Sequence, residues 1–197
     1  MSENYTSLPY HNLNNGVTYQ RPPQRLPEKV TAESPATDVM TDFTKVAAIT
    51  MGPCATLDAA EQRMIASGVR LLLVTDQSNA ILGIITATDL QGDRPVKYLQ
   101  EVGGKREDIY LRDIMTPADK IEVLYMVDVE NAQVGNIVET MKRVGRQHAL
   151  VIDLDDNKQH VVRGLFSTKQ ISKQLGINID PTEVAKTFAE LEAALIA

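Results

Sequence analysis

The chain states the same pattern twice, and that duplication constrains its fold more than any other feature. Gly83-Ile84-Ile85-Thr86-Ala87-Thr88-Asp89-Leu90 is a glycine, two apolar residues, a hydroxyl, two spacers, a polar residue and an apolar one. Gly164-Leu165-Phe166-Ser167-Thr168-Lys169-Gln170-Ile171 repeats the order, with Gln170 where the first copy has Asp89. Asp38-Val39-Met40-Thr41 returns as Asp113-Ile114-Met115-Thr116. Met64 and Met141, Gly68 and Gly145, and Asp76 and Asp153 all keep an offset of 77, while the signature glycines stand 81 apart. Four extra residues therefore fall between aspartate and glycine in the second copy, the expected position being the loop tip. A duplicated unit predicts a pseudo-symmetric fold with two related clefts, and the Asp89-to-Gln170 change predicts that they are unequal.

Each copy reads as β-α-β-β-α, an α+β architecture of two pseudo-symmetric units. A first strand is expected to end near Thr50 in one copy and near Val127 in the other. Thr56 is placed to cap a helix whose buried face carries Leu57, Ala60, Met64 and Ile65, and Gly68 to end it in a left-handed conformation. Asn131 is expected to open the matching helix, with Val134, Ile137, Val138 and Met141 inward and Gly145 closing it. The apolar runs 71–74 and 149–152 are short enough for buried strands, and residues 81–85 and 161–166 return as their hairpin partners. Residues 1–35 show no apolar period and read as a flexible or docked N-terminal arm. The units are assigned to residues 36–100 and 101–175, with Gly103-Gly104-Lys105 as a turn between them. Residues 176–197 are expected to form a terminal helix, with Asp180 able to cap it and Pro181 next, whose stripe Val184, Phe188, Leu191 and Leu195 is expected to pack on the module or on a partner chain.

Composition removes several function classes. With 43% hydrophobic and 23% charged residues the sequence is that of an ordinary soluble protein. A net charge of -6 argues against a nucleic-acid partner. No apolar run is long enough for a bilayer, and the N-terminus lacks the basic-then-apolar order of a signal peptide. Cys54 is the single cysteine, so no disulfide forms within the chain, and a cytoplasmic location is expected. His11, His148 and His160 are too scattered for a metal site. Asp153-Leu154-Asp155-Asp156-Asn157 begins like a calcium loop but lacks its glycine and its glutamate, and reads as a solvated hairpin tip. Leu99 stands where a phosphate-binding loop before Gly104-Lys105 needs its first glycine. Cys54 has no acid–base partner in a recognised order and reads as a buried or incidental thiol, so no enzymatic activity is expected.

In its two leaders, glycine-closed helices, aspartate-closed strands and signatures, the segment of roughly residues 38–175 resembles a pair of CBS domains arranged as a Bateman module. The resemblance implies two clefts that take adenine nucleotides or related adenosyl ligands, AMP, ADP or ATP, with no cofactor. It implies that the signature hydroxyl meets phosphate and the signature acid meets ribose. Those roles fall on Thr86 and Asp89, with Ser167 matching in the second copy and Gln170 not. Thr50 and Met51 follow as wall residues near adenine, and Arg70 and His148 as phosphate contacts at the strand that follows each first helix. It also implies a two-fold homodimer, and a regulatory role without an attached catalytic domain, toward an unidentified partner protein. The alternatives are a ligand-free interaction module and a divalent-cation sensor.

The spacing itself carries a second reading. Thr-x-x-Asp at a helix start is also a capping box, in which side chains satisfy the first backbone amides. Ser167-x-x-Gln170 fits that reading better, because glutamine is a standard third-position partner. On the ligand reading, the Asp89 cleft is the one expected to be occupied, since an amide cannot face a ribose diol with two acceptor oxygens.

Overall fold

The computed structural model describes residues 25–179 together with 9, 12–15 and 17–18. The stripe of Val184, Phe188, Leu191 and Leu195 lies outside them. Two four-stranded sheets carry the fold. The first contains β2 (Thr50–Met51), β3 (Leu71–Thr75), β4 (Ile81–Thr86) and β5 (Thr116–Pro117), in that order. The second contains β1 (Thr41–Asp42), β8 (His160–Ser167), β7 (His148–Leu154) and β6 (Val123–Tyr125). In each sheet the central hairpin is antiparallel and the strand before the first helix joins it in parallel.

The short edge strands are exchanged. Thr41–Asp42 from the first leader pairs with Leu165 and Gly164 of the second unit, and Thr116–Pro117 from the second leader pairs with Ile84 and Gly83 of the first. The bridges before the leaders obey the same symmetry. Pro35 pairs with Gln133, and Tyr110 with Thr56. Packing follows the exchange. Ala36, Val39 and Met40 are buried with Val134, Ile137, Met141, Val151 and Phe166 of the second unit, while Ile109, Leu111 and Ile114 are buried with Leu57, Met64, Leu72 and Ile85 of the first. A third cluster, Leu71, Leu73, Ile84 and Leu150, lies where the two sheets meet. Strand β3 is buried on both faces because Leu72 and Val74 point to the helices and Leu71 and Leu73 to the other sheet.

The exchange explains the signature glycines. A Cβ on Gly83 would lie 2.5 Å from the carbonyl oxygen of Thr116, and one on Gly164 would overlap that of Thr41. A side chain at either position would push the incoming leader off the sheet.

The first helices form as their caps dictate. Helix α1 (Leu57–Ser67) starts with Thr56 Oγ1 accepting from Ala59 N at 3.3 Å and ends at Gly68, φ 67°. Ile65, expected on its buried face, is 74% exposed, so the apolar stripe is Leu57, Ala60 and Met64. In the second unit the strand ends at Tyr125, not Val127, because α5 (Met126–Glu130) intervenes. Asn131 closes α5 by donating to Val127 O, and α6 (Val134–Arg143) opens at Gln133, whose amide donates to Asn136 Oδ1 at 2.9 Å. Gly145, φ 63°, follows its end.

The four extra residues are not at the loop tip. Both hairpins end in the same turn, with Asp76 Oδ1 taking the amides of Ser78 and Ala80 and Asp155 Oδ1 those of Asn157 and Gln159. Asp155, not Asp153, is thus the counterpart of Asp76. Both hairpins shift register at the same rung, after Val74 and after Val151. The second then adds the pairs Asp153–Val161 and Leu154–His160, two residues in each strand. That longer hairpin lets Arg163 reach Asp153 Oδ2 at 2.9 Å while its Nε donates to Asp42 Oδ1 at 3.0 Å. Asp42, 5% exposed, also accepts from Thr44, and these bonds hold its carboxyl well below the usual range despite burial.

The close approach of Thr41 to Gly164 predicts a measurable difference between glycine positions. Gly164→Ala should lower stability by about 1–3 kcal/mol through overpacking. Gly52→Ala, with nothing within 4 Å of the added methyl, should stay within about 0.5 kcal/mol of the parent chain. Urea denaturation of both variants decides this, and equal midpoints would sever the glycine from the strand exchange.

Candidate functional site

Because each leader crosses to the other sheet, the cleft beside Ser167 is walled by both repeats. It is a cavity of about 690 Å³. Phe43, Val46, Ala47 and Ile49, from the segment after β1, give it an apolar wall. Thr41, Ser167 and Gln170 line it as well, and Arg70, His148, Lys169 and Lys173 supply its cations and imidazole. Among the described residues, no carboxylate lines it. Among the described residues, none of Arg70, Lys169 and Lys173 has an acidic partner within 4 Å. In a chain of net charge -6, this is a concave, partly apolar surface whose cations lack acidic partners among the described residues, which suits an anion carrying an apolar ring.

Two further cavities adjoin. One, of about 230 Å³, shares Arg70 and Lys169 and extends toward Ala87 and Gln91 of α2 (Ala87–Gln91). The other, of about 590 Å³, shares Gln170 and Lys173 and runs beneath residues 26–30 of the arm. Arg70 and Lys169 therefore stand where two cavities meet.

The two signature helices are closed differently, and in the opposite sense to the spacing argument. Thr86 and Asp89 form a complete capping box: Thr86 N and Oγ1 donate to Asp89 Oδ2 at 2.8 and 2.7 Å, and Asp89 N donates to Thr86 Oγ1 at 3.2 Å. Asp89 Oδ1 is taken by Arg94 Nε at 3.0 Å. Ser167, before α7 (Thr168–Leu175), makes no capping bond. Gln170 turns its amide to Gln174 Oε1 at 3.0 Å, and the buried Gln174 donates to Pro27 O and Asp38 O. The first turn of α7 is thus left without a side-chain cap beside the cavity, where a helix N-terminus favours negative charge.

Of the residues singled out from the sequence, Arg70, His148 and Ser167 meet in the large cavity. Thr86 and Asp89 stand at the start of α2, on the far side of the pseudo-two-fold. Thr50 is exposed on β2, and Met51 packs against the core of the first unit; neither lines the large cavity. Lys169, Lys173 and Phe43 were not singled out. The spacing of Lys169 and Lys173, four residues on one helix face, was their available signal, and a solvated face gives the same pattern. Cys54 is exposed rather than buried, with Arg112 Nη1 3.2 Å from its sulfur. Among the described residues no group of histidine, cysteine and acid is placed to hold a metal ion, and no helix is long and apolar enough to cross a membrane.

His148 opens β7 opposite Ser167, as Leu71 stands opposite Thr86 in the first unit. Burial first, and then the charge of Arg70, push its imidazole down from 6.5 to about 4, with Asp89 opposing. The folded state holds this ring neutral while the unfolded chain protonates it, so stability is lost as pH falls from about 6.5 to about 4. His148→Leu, which installs the residue of the matching strand, should remove this part of the pH dependence. The stability difference between parent and variant should change by on the order of 2 kcal/mol between neutral pH and pH 4. Parallel urea-midpoint curves against pH would show that the ring titrates freely in the fold.

Comparison with known proteins agrees with this architecture. A family model for the CBS domain matches residues 36–92. The fold is similar to an uncharacterized conserved protein from Pyrococcus horikoshii, with TM-score 0.50 and 19% identity over 72% of this chain and 92% of that one. It is also similar to CBSX2, from Arabidopsis thaliana, in complex with AMP, with TM-score 0.50 and 17% identity over 71% of this chain and 94% of that one. At these identities the likeness speaks for the fold alone. No curated protein matches the chain.

Proposed function

We propose, for a chain that carries a CBS domain over residues 36–92 and has the fold of a CBS-domain pair, that it is a regulatory module binding an adenine nucleotide in the Ser167 cleft. The observation that carries this reading is the cavity itself: an apolar wall of Phe43, Ala47 and Ile49, a helix start at Ser167 without a side-chain cap, and Arg70, Lys169 and Lys173 without acidic partners among the described residues. The apolar wall suits the base, and the cations with the free helix end suit phosphate. The AMP bound to CBSX2 lends the ligand class.

The role is regulatory rather than catalytic, and the protein acts in the cytoplasm. Binding selects among conformations that differ in how the cleft closes, and so changes how the module meets a regulated partner. Ile65 on α1 and Val127 on α5, 74% and 65% exposed, give apolar helix surface for a two-fold homodimer. AMP, ADP and ATP all fit the charge of the site. Asp89 is the poorer ribose contact in this arrangement, because both its oxygens are already used.

Thermal shift with AMP, ADP, ATP and magnesium separates the readings. Stabilisation by nucleotide supports the proposal, stabilisation by magnesium alone would favour a cation sensor, and no response would favour a ligand-free interaction module. Calorimetry then locates the site. Lys169→Ala should weaken AMP by roughly 10-fold, the loss of one charge-assisted bond of about 1.5 kcal/mol. Lys158→Ala, at the hairpin tip, should leave affinity unchanged. AMP binding as tight in Lys169→Ala as in the parent chain would move the ligand elsewhere.

A further inference from the structure

We infer that Arg94 is a built-in stopper of the cleft on the Asp89 side, and that this guanidinium makes the two clefts unequal. The pseudo-symmetry shows where it sits. Thr41, Ser167 and Gln170 line the large cavity. Their counterparts in the repeat are Thr116, Thr86 and Asp89. Arg94, the first residue of α3 (Arg94–Val102), binds two of those three: its Nε donates to Asp89 Oδ1 at 3.0 Å and its Nη2 to Thr116 Oγ1 at 3.1 Å. Its Nη1 donates to Ile114 O at 2.8 Å. The guanidinium therefore spans from signature helix to leader strand, the two walls that in the other half face an open cavity.

The position that matches Arg94 in the second signature is Leu175. There the link between helix and leader is made by neutral amides, Gln170 to Gln174 to Asp38 O. A ligand that needed the Asp89 carboxylate would have to displace a charge-assisted bond at one oxygen and the capping bonds at the other. The cleft with the retained acid is thus the closed one, and the cleft with the amide is the open one.

This inference rests on the reading that the Ser167 cleft binds adenine nucleotide, and calorimetric stoichiometry with AMP on the full chain keeps the two apart. The parent chain should bind one AMP. Arg94→Leu, which reproduces Leu175, should bind two at AMP concentrations up to about 1 mM. One site in both proteins, or two in the parent, would overturn the stopper while leaving the Ser167 reading intact. No binding by the parent would overturn the Ser167 reading, and a single site gained by Arg94→Leu would then still support the stopper. Should Arg94→Leu lose its cooperative thermal transition, Arg94→Lys poses the same question, because one ammonium cannot hold Asp89, Ile114 O and Thr116 together. A second, weaker AMP site is expected there, and its absence overturns the inference.

Discussion

The close approach of each leader strand to the signature glycine of the other repeat is the contact on which the rest of the structure depends. A strand of two residues has too few ladder bonds to persist alone. It stays because Val39 and Met40, or Leu111 and Ile114, are buried in the core just before it. It can lie that close only because Gly164 and Gly83 have no side chain. Neither repeat therefore completes its own core or its own cleft. The segment from Thr41 to Ile49 belongs to the first repeat, yet it forms the apolar wall above Ser167 of the second.

The repeats share this frame but place their charge differently. In the first unit the strong ion pair is at the cleft, Asp89 with Arg94, and the hairpin carries Leu82 where the second has Arg163. In the second unit the ion pairs are at the hairpin, where Arg163 joins Asp42 and Asp153, and the cleft bridge is built from Gln170 and Gln174. Moving charge from cleft to hairpin leaves the second cleft without a resident cation plugged between its walls. Its own cations, Arg70, Lys169 and Lys173, line the cavity instead.

The sequence made some of this legible and hid the rest for physical reasons. The duplication, the Thr56 cap, the Gly68 and Gly145 stops and the two hairpins are local, and local chemistry is written in neighbouring residues. The strand exchange is long-range and rests on two-residue strands, too short to show any period. The two extra rungs of the second hairpin are hidden in the sequence because Asp153 mimics the turn aspartate, while Asp155 makes the turn bonds. The capping roles of the signatures run opposite to the expectation because the choice depends on partners outside the four-residue box. Gln170 finds Gln174 one turn along, whereas Asp89 has only Thr86 and an arginine five residues on. Arg70, His148 and Ser167 were legible through family resemblance; Lys169 and Lys173 needed the cavity to distinguish them from a solvated face.

The amides beside the cleft are bonded to one another, while its cations have no acidic partners among the described residues, and that division bears on how a ligand acts on the whole molecule. Gln170 cannot turn to a ligand cheaply. Doing so would leave the carbonyl oxygen of buried Gln174 without its donor, a loss of about 1–3 kcal/mol, and would loosen the bonds to Pro27 and Asp38. Arg70, Lys169 and Lys173 have no acidic partners to lose among the described residues. Arg70 comes from the first unit and the lysines from the second, and all three face one cavity. Without an anion their like charges repel across the interface between units. With one they are drawn to a common centre. On the proposed reading, the sign of the force among these three cations thus depends on occupancy, which is the kind of differential interaction a conformational switch requires.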